Sequence, residues 1–242
     1  MIKNCIFLVP TIMARPELEI SSVEKLAKTF KEAQVYFISN VEDEDFNKYI
    51  PTQNNIQKVI SGTKFSISKA LNKVLRELDD EKYVCFVHSD IVIPRELIES
   101  CIKLSDTPEL NVGVLGVESR SNHSTYGKDV GVYSDIKLKR VLWSDGIMFF
   151  TREVFEEVGY FNEDYFGDKE SQEYCYRVHD KGFSNYKMTL PQHLSIDHHL
   201  IPFTGKVKYD KEEFKLAVEQ SRTLFRSIWH PWEPEQKHFF QK

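Results

Sequence analysis

Five consecutive apolar residues, Tyr83-Val84-Cys85-Phe86-Val87, constrain the fold more than any other stretch. They are rich in aromatic and β-branched side chains and show no helical period, which predicts a strand buried on both faces. Such strands belong to parallel sheets covered by helices. Further strands are expected at residues 5–9, ended by Pro10, and at 35–39, 57–60, 112–117 and 146–150. Between them, Leu18, Val23, Leu26, Ala27 and Phe30 recur at helical spacing, predicting a helix over 17–31. Ile67, Ala70, Leu71, Val74, Leu75 and Leu78 do the same for 66–78, and Leu97, Ile98, Cys101, Ile102 and Leu104 mark a third helix. Helices at 152–158 and 171–181 each end at a glycine, Gly159 and Gly182, suited to the position after a helix. A last amphipathic helix is expected over 208–227. Residues 41–47 read as an acidic loop, 118–137 as a polar, turn-rich stretch, and the tail from Trp229 as non-helical. Strand–helix alternation through the first half specifies an α/β fold with a mostly parallel central sheet flanked by helices.

With 242 residues, no internal repeat and no linker, one domain is the simplest expectation. The net charge of −5, with Lys and Arg scattered, argues against a nucleic-acid partner. Cys5, Cys85, Cys101 and Cys175 form no CxxC pair, which favours a reducing, cytoplasmic location over a disulfide framework. No apolar stretch approaches the length of a membrane span.

Three constellations carry chemistry. His88-Ser89-Asp90 directly follows the buried strand, where open α/β sheets bind ligands. Asp90, beside His88, can hold a divalent metal against a diphosphate; the alternative is a cap for the helix near Pro94. The second is the stretch 159–170, whose carboxylates alternate with Tyr160, Phe161, Tyr165 and Phe166. Either it is a solvated acidic loop, or its aromatics anchor it and one carboxylate acts as a general base with a raised pKa. The third is Asp197-His198-His199 after a strand end, where one imidazole can ligate a metal and Asp197 can orient it. Adjacent strand residues point to opposite faces, so one of the two histidines is expected to reach a given metal. Trp143-Ser144-Asp145 precedes another strand; Trp143 is either a sugar-stacking platform or a core residue. The aromatic tail is compatible with packing on its own domain, with an acceptor-site lid, or with a dimer contact.

Three blocks, in order, resemble the GT-A nucleotide-sugar glycosyltransferases, especially the large inverting family 2. Ser68-Lys69-Ala70-Leu71-Asn72 leading to His88-Ser89-Asp90 is similar to that family's helix, strand and DxD metal motif. Gly146–Phe150 through Gly159-Tyr160-Phe161-Asn162-Glu163 is similar to its strand, helix and G-G-F-D-E turn. Glu170-Ser171-Gln172-Glu173 through Arg177 resembles E-D-x-D-x-x-x-R. The resemblance implies a single GT-A (Rossmann-like) domain over 1–205, with a nucleotide-binding half (1–110) and an acceptor half (111–205), then a C-terminal helix and aromatic tail (206–242). It implies a nucleoside diphosphate sugar as donor and Mn²⁺ or Mg²⁺ as cofactor. Asp90 becomes the metal carboxylate, with His88 replacing the first Asp of the motif and Ser89 between them. His198 or His199 closes the metal site. Pro10, Thr11, Lys69 and Asn72 face the donor, and Asn40 or Glu42 takes the place of the acidic residue after the second strand. Ser171 stands where the family's base is an Asp, so Glu170 becomes the first candidate base, followed by Asp168 and Glu173. Trp143 and Asp145 are candidate acceptor contacts. The acceptor, whether glycan, lipid-linked or protein, is left open.

The rival readings are a metal-dependent phosphoesterase built on Asp197-His198-His199, a nucleotidyltransferase, and a non-catalytic sugar-nucleotide-binding relative that lost its base. Ser171 keeps the last of these alive. A nucleotidyltransferase would want a glycine-rich basic loop, and 10–16 offers Arg15 without a glycine.

Overall fold

The computed structural model describes residues 2–40, 42–64, 66–78, 81–117, 127–133, 135–191, 194, 196–198 and 211–229, with backbone alone at Asp197, His198 and Lys211. Nine strands form one sheet: β1 (Cys5–Thr11), β2 (Gln34–Ser39), β3 (Ile56–Ile60), β4 (Tyr83–Val87), β6 (Val112–Val117), β7 (Gly127–Tyr133), β8 (Ile136–Val141), β9 (Ile147–Thr151) and β10 (Ser184–Thr189). A two-stranded ribbon joins β5 (Ile91–Val92) to β11 (Asp197–His198). The helices are α1 (Pro16–Thr29), α2 (Glu44–Lys48), α3 (Ile67–Leu75), α4 (Arg95–Ser105), α5 (Arg152–Val158), α6 (Glu170–Asp180) and α7 (Lys211–Trp229).

The strand order is β3-β2-β1-β4-β9-β6-β10-β8-β7. The block β3-β2-β1-β4 is parallel; β9 runs against β4 and β6, and β8 against β10 and β7. The expected mostly parallel α/β sheet is therefore present, and its two halves meet at the β4–β9 ladder. Because β9 is reversed, the loop that precedes it arrives at the edge where β1, β2, β4 and β6 end.

Alternate residues of each central strand face opposite helix layers. Phe7, Val9, Phe37, Cys85 and Phe149 pack with Val23, Leu26, Leu97 and Ile98 of α1 and α4. Ile6, Leu8, Val84, Phe86 and Phe150 pack with Leu71, Val74, Val154 and Tyr174 of α3, α5 and α6. Each such fully buried side chain contributes about 1.5–3 kcal/mol. A smaller cluster of Leu142, Tyr165, Tyr176 and Phe225 docks α7.

Several expectations need correction. Pro10 does not end β1, which continues to Thr11 opposite Ser39; the β4 ladder has stopped at Leu8. The acidic stretch after β2 contains α2, capped by Asp43, whose carboxylate accepts from the Asp45 and Phe46 N–H groups. Buried Phe46, 5.2 Å from Phe37, holds that turn in place. The turn-rich stretch contains β7 and the start of β8, and β10 was not foreseen. Trp229 closes α7 rather than opening the tail; residues 230–242 lie outside the described residues.

Candidate active site

β4 delivers His88-Ser89-Asp90 to the carboxyl edge of the sheet. The His88 N–H donates to the Gly146 carbonyl at 3.1 Å, and the Ile91 N–H donates back to the His88 carbonyl at 3.1 Å. Ser89 and half-buried Asp90 thus form the tip of a tight turn between β4 and β5. The helix-cap alternative for Asp90 fails, because Pro94 occupies the cap position of α4 with no side-chain cap bond. The His88 ring stands edge-on to Phe86, and its Nε2 lies 3.8 Å from Asp145 Oδ1. The β5–β11 ribbon pairs Ile91 with His198 and Val92 with Asp197. The late Asp-His segment therefore meets the chain one residue from Asp90. The His198 ring and all of His199 lie outside what is described.

At the end of β1, Pro10 and Thr11 are buried. Thr11 Oγ1 donates to Glu19 and accepts the Met13 N–H at 2.9 Å. Glu19, 1% exposed, also accepts the Arg15 N–H at 2.8 Å and the Ser89 hydroxyl at 2.9 Å. Sequence reasoning missed Glu19. Its signal was present: with Val23 and Leu26 it falls at i, i+4, i+7 on the apolar stripe of α1, a carboxylate where a core residue belongs. Asn40 follows β2 and is 1% exposed; its Oδ1 finds no partner among the described residues.

The Asn72 side chain is engaged by the turn after α5. Its amide donates to the Phe161 carbonyl and to Glu163 Oε1, both at 2.8 Å, and accepts the Phe161 N–H at 3.0 Å. A fully buried amide needs such partners, and these lock the turn after α5. The Asn72 amide, with Arg76 2.5 Å away and Lys69 nearby, holds Glu163 below the ordinary carboxylate range. The Lys69 ammonium lies 5.5 Å from the Phe166 ring centroid.

The stretch 159–170 is anchored by its aromatics. Phe161 and Tyr165 are buried, and the Phe166 N–H donates to Ser221 of α7 at 2.7 Å. Asp168 pairs with Arg222 Nε of α7 at 2.6 Å. Glu170 opens α6, is 7% exposed, and accepts the Gly167 N–H at 2.7 Å. Burial pushes its carboxyl up to about 7; the Gly167 N–H opposes this, and the Asp168 and Asp145 charges add to it. Glu173 is raised by burial but is held by Arg177 at 2.7 Å. That arginine in turn donates to the carbonyls of Val158 and Tyr160, so Glu173 secures the turn after α5. Ser171 donates to Asp145 Oδ1 at 3.3 Å. Exposed Asp145 thus lies between His88 and the first turn of α6. Trp143 packs against two core clusters, with the Lys187 ammonium 4.8 Å from its ring centroid. Trp143 is half-buried, and its packed part is placed as the core alternative expects.

Among the described residues, no group of three His, Cys, Asp or Glu side chains could hold a metal ion. A single carboxylate at a strand end still suits a hard cation that takes its other ligands from a diphosphate and water. Among the side chains described, the one at this edge that suits such a cation is Asp90; the imidazole expected at 198–199 lies outside them.

No family model matches the chain, and no curated protein matches it. Solved structures do. The chain is similar to a mannosyltransferase from Pyrobaculum calidifontis in complex with GDP-Man and Mn²⁺, at 15% identity and TM-score 0.56 over 78% of this chain and 55% of that one. It is similar to TarS of S. aureus in complex with UDP-GlcNAc, at 17% identity and TM-score 0.55 over 78% and 56%. It is also similar to GalNAc-T7 with UDP, GalNAc and Mn²⁺, at 11% identity and TM-score 0.68 over 98% and 50%. The chain spans about half the length of these structures. Its fold is the GT-A fold of nucleotide-sugar glycosyltransferases. Among the described residues, no helix is long and apolar enough to cross a membrane.

Proposed function

We propose that this chain transfers a sugar from a nucleoside diphosphate sugar to an acceptor hydroxyl, with Mn²⁺ or Mg²⁺ bound at Asp90. The observation that carries the reading is the meeting of Asp90, His88, Asp145 and Glu170's helix at one sheet edge, on a GT-A fold. The nucleotide lies along the ends of β1 and β2, where the unpartnered Asn40 Oδ1 offers an acceptor. Asp90, with His198 or His199, would hold the cation, which would supply charge neutralisation for a diphosphate leaving group. Glu170 takes the proton of the acceptor hydroxyl, since a carboxyl that titrates near neutral pH suits a general base. In-line attack at the anomeric carbon gives inversion. Asp145, which lies beside both His88 and Ser171, orients the acceptor. Four buried free thiols suit a reducing compartment such as the cytoplasm.

The test is thermal shift with UDP, GDP, CMP and dTDP, with and without Mn²⁺, followed by product detection with the corresponding donor sugars. A cation-dependent shift with turnover is expected. A shift without turnover identifies a binding-only relative, in line with Ser171 at the family's base position. No shift with any nucleotide rejects the reading.

A further inference from the structure

Glu19 is an unusual residue to bury. A carboxylate removed from water costs several kcal/mol unless its charge is compensated. Among the described residues it forms no ion pair; its contacts are the Arg15 N–H, the Thr11 hydroxyl and the Ser89 hydroxyl. The Arg15 contact alone would be helix capping, because Arg15 caps α1 and Glu19 lies in its first turn. The other oxygen does something a cap does not require. It gathers hydroxyls from two strand ends, Thr11 of β1 and Ser89 beyond β4. Met13, with φ of 51° in the left-handed region, donates its N–H to Thr11 Oγ1.

We propose that Glu19 is a positioning residue that fixes the Ser89-Asp90 turn against the end of β1, and so sets the cation-binding carboxylate relative to the nucleotide. This rests on the glycosyltransferase reading above. Ser89 is bonded to Asp90 in the chain, and the turn is tight, so holding the Ser89 hydroxyl fixes where the Asp90 carboxylate emerges. A ligand carboxylate held by a hydrogen-bonded neighbour binds its metal more tightly; loss of such a partner typically costs about 10–100-fold in metal affinity. Glutamine cannot accept from both hydroxyls and the Arg15 N–H together, because one of its two terminal atoms is only a donor.

The experiment compares wild type, Glu19→Gln, Ser89→Ala and the double variant by calorimetric binding of UDP and GDP across a Mn²⁺ series. The expected result is that Glu19→Gln raises the Mn²⁺ needed for half-maximal binding about tenfold. Ser89→Ala raises it in the same sense, and the double variant goes no further than Glu19→Gln. Non-additive Tm losses among the apo proteins would accompany this. A Glu19→Gln protein with lowered Tm but an unaltered Mn²⁺ requirement overturns the proposal, leaving Glu19 as a helix cap. Should Glu19→Gln fail to fold, Ser89→Ala alone carries the comparison: an unaltered Mn²⁺ requirement there is equally fatal. Wild type that binds neither nucleotide at any Mn²⁺ concentration overturns the glycosyltransferase reading and this proposal together. That outcome is distinct, because the Mn²⁺ response is then missing from every protein rather than unchanged between them.

Discussion

Glu170 can be checked through two independent consequences of its raised pKa. Below pH about 4 the carboxyl is protonated in folded and unfolded chains alike. Between its ordinary 4.5 and the folded value of about 7, the unfolded chain releases a proton that the folded chain keeps. Stability from this group therefore falls as pH rises through that window, by up to about 3 kcal/mol, and is flat above it. Glu170→Gln keeps an acceptor for the Gly167 N–H and has no such penalty. Its Tm should match wild type near pH 4 and exceed it above pH 7 in a thermal melt series. If Glu170 is also the base, wild-type kcat/KM falls about tenfold per pH unit below 7, while the variant loses turnover and keeps donor affinity. Asp90→Ala makes the opposite pairing. The half-buried turn should tolerate it with little change in Tm. Nucleotide binding should lose its Mn²⁺ dependence, and turnover should fall on the order of a thousandfold, the equivalent of several kcal/mol. Full Mn²⁺-dependent activity in that variant would remove Asp90 from the site.

At the scale of elements, α7 braces the turn that presents Glu170. Ser221 bonds Phe166, Arg222 pairs with Asp168, and Phe214 packs over Gly167. Gly167 has φ of 73°, and a Cβ there would sit 2.7 Å from the Phe214 ring. Gly62 has φ of 70° with nothing within 4 Å, which makes it a matched control. Gly62→Ala should cost only the left-handed strain, about 1–2 kcal/mol. Gly167→Ala should cost more, because Phe214 must move, and should also shift the pH midpoint of activity, because the Gly167 N–H holds Glu170. Equal Tm losses would mean that α7 is not seated on the turn. The legible elements were those whose burial shows in their own residues. β1, β2, β4, β6 and β9 are runs of apolar side chains because both faces are covered. β10 hid itself: Asn185 and Lys187 are buried, yet Asn185 is satisfied by the Leu142 and Cys175 carbonyls and the Val114 N–H. Lys187 lies over Trp143. Those partners come from distant parts of the chain, so no local period announces them. β7 is exposed along most of its length, Val130 and Val132 included, so it carries no buried apolar run.

At the scale of the molecule, the site depends on the direction of β9. Asp90 was legible as a carboxylate at a strand end, and Glu170 as a carboxylate directly before a helix. Their common edge was not, because sequence patterning does not give strand direction. The reversal of β9 between β4 and β6 brings Asp145 to His88, and the α6 start to Asp145. The strands proposed to face the donor lie in residues 1–110, while the proposed base and acceptor contacts lie in 111–205; one continuous sheet joins them. Unfolding should then be a single transition, and a ligand held on the β1–β4 side should stabilise the far side equally. For a ligand at one hundred times its Kd, mass action adds about 2.7 kcal/mol. A chain of this size gains about 2–4 °C per kcal/mol, so Tm should rise by about 5–10 °C. Probes on both sides, Tyr36 on β2 and Trp143 before β9, should report the same shift with a nucleoside diphosphate and Mn²⁺. Two separate transitions, with only the Tyr36 signal moving, would show that the halves melt independently and that the β4–β9 ladder does not couple them.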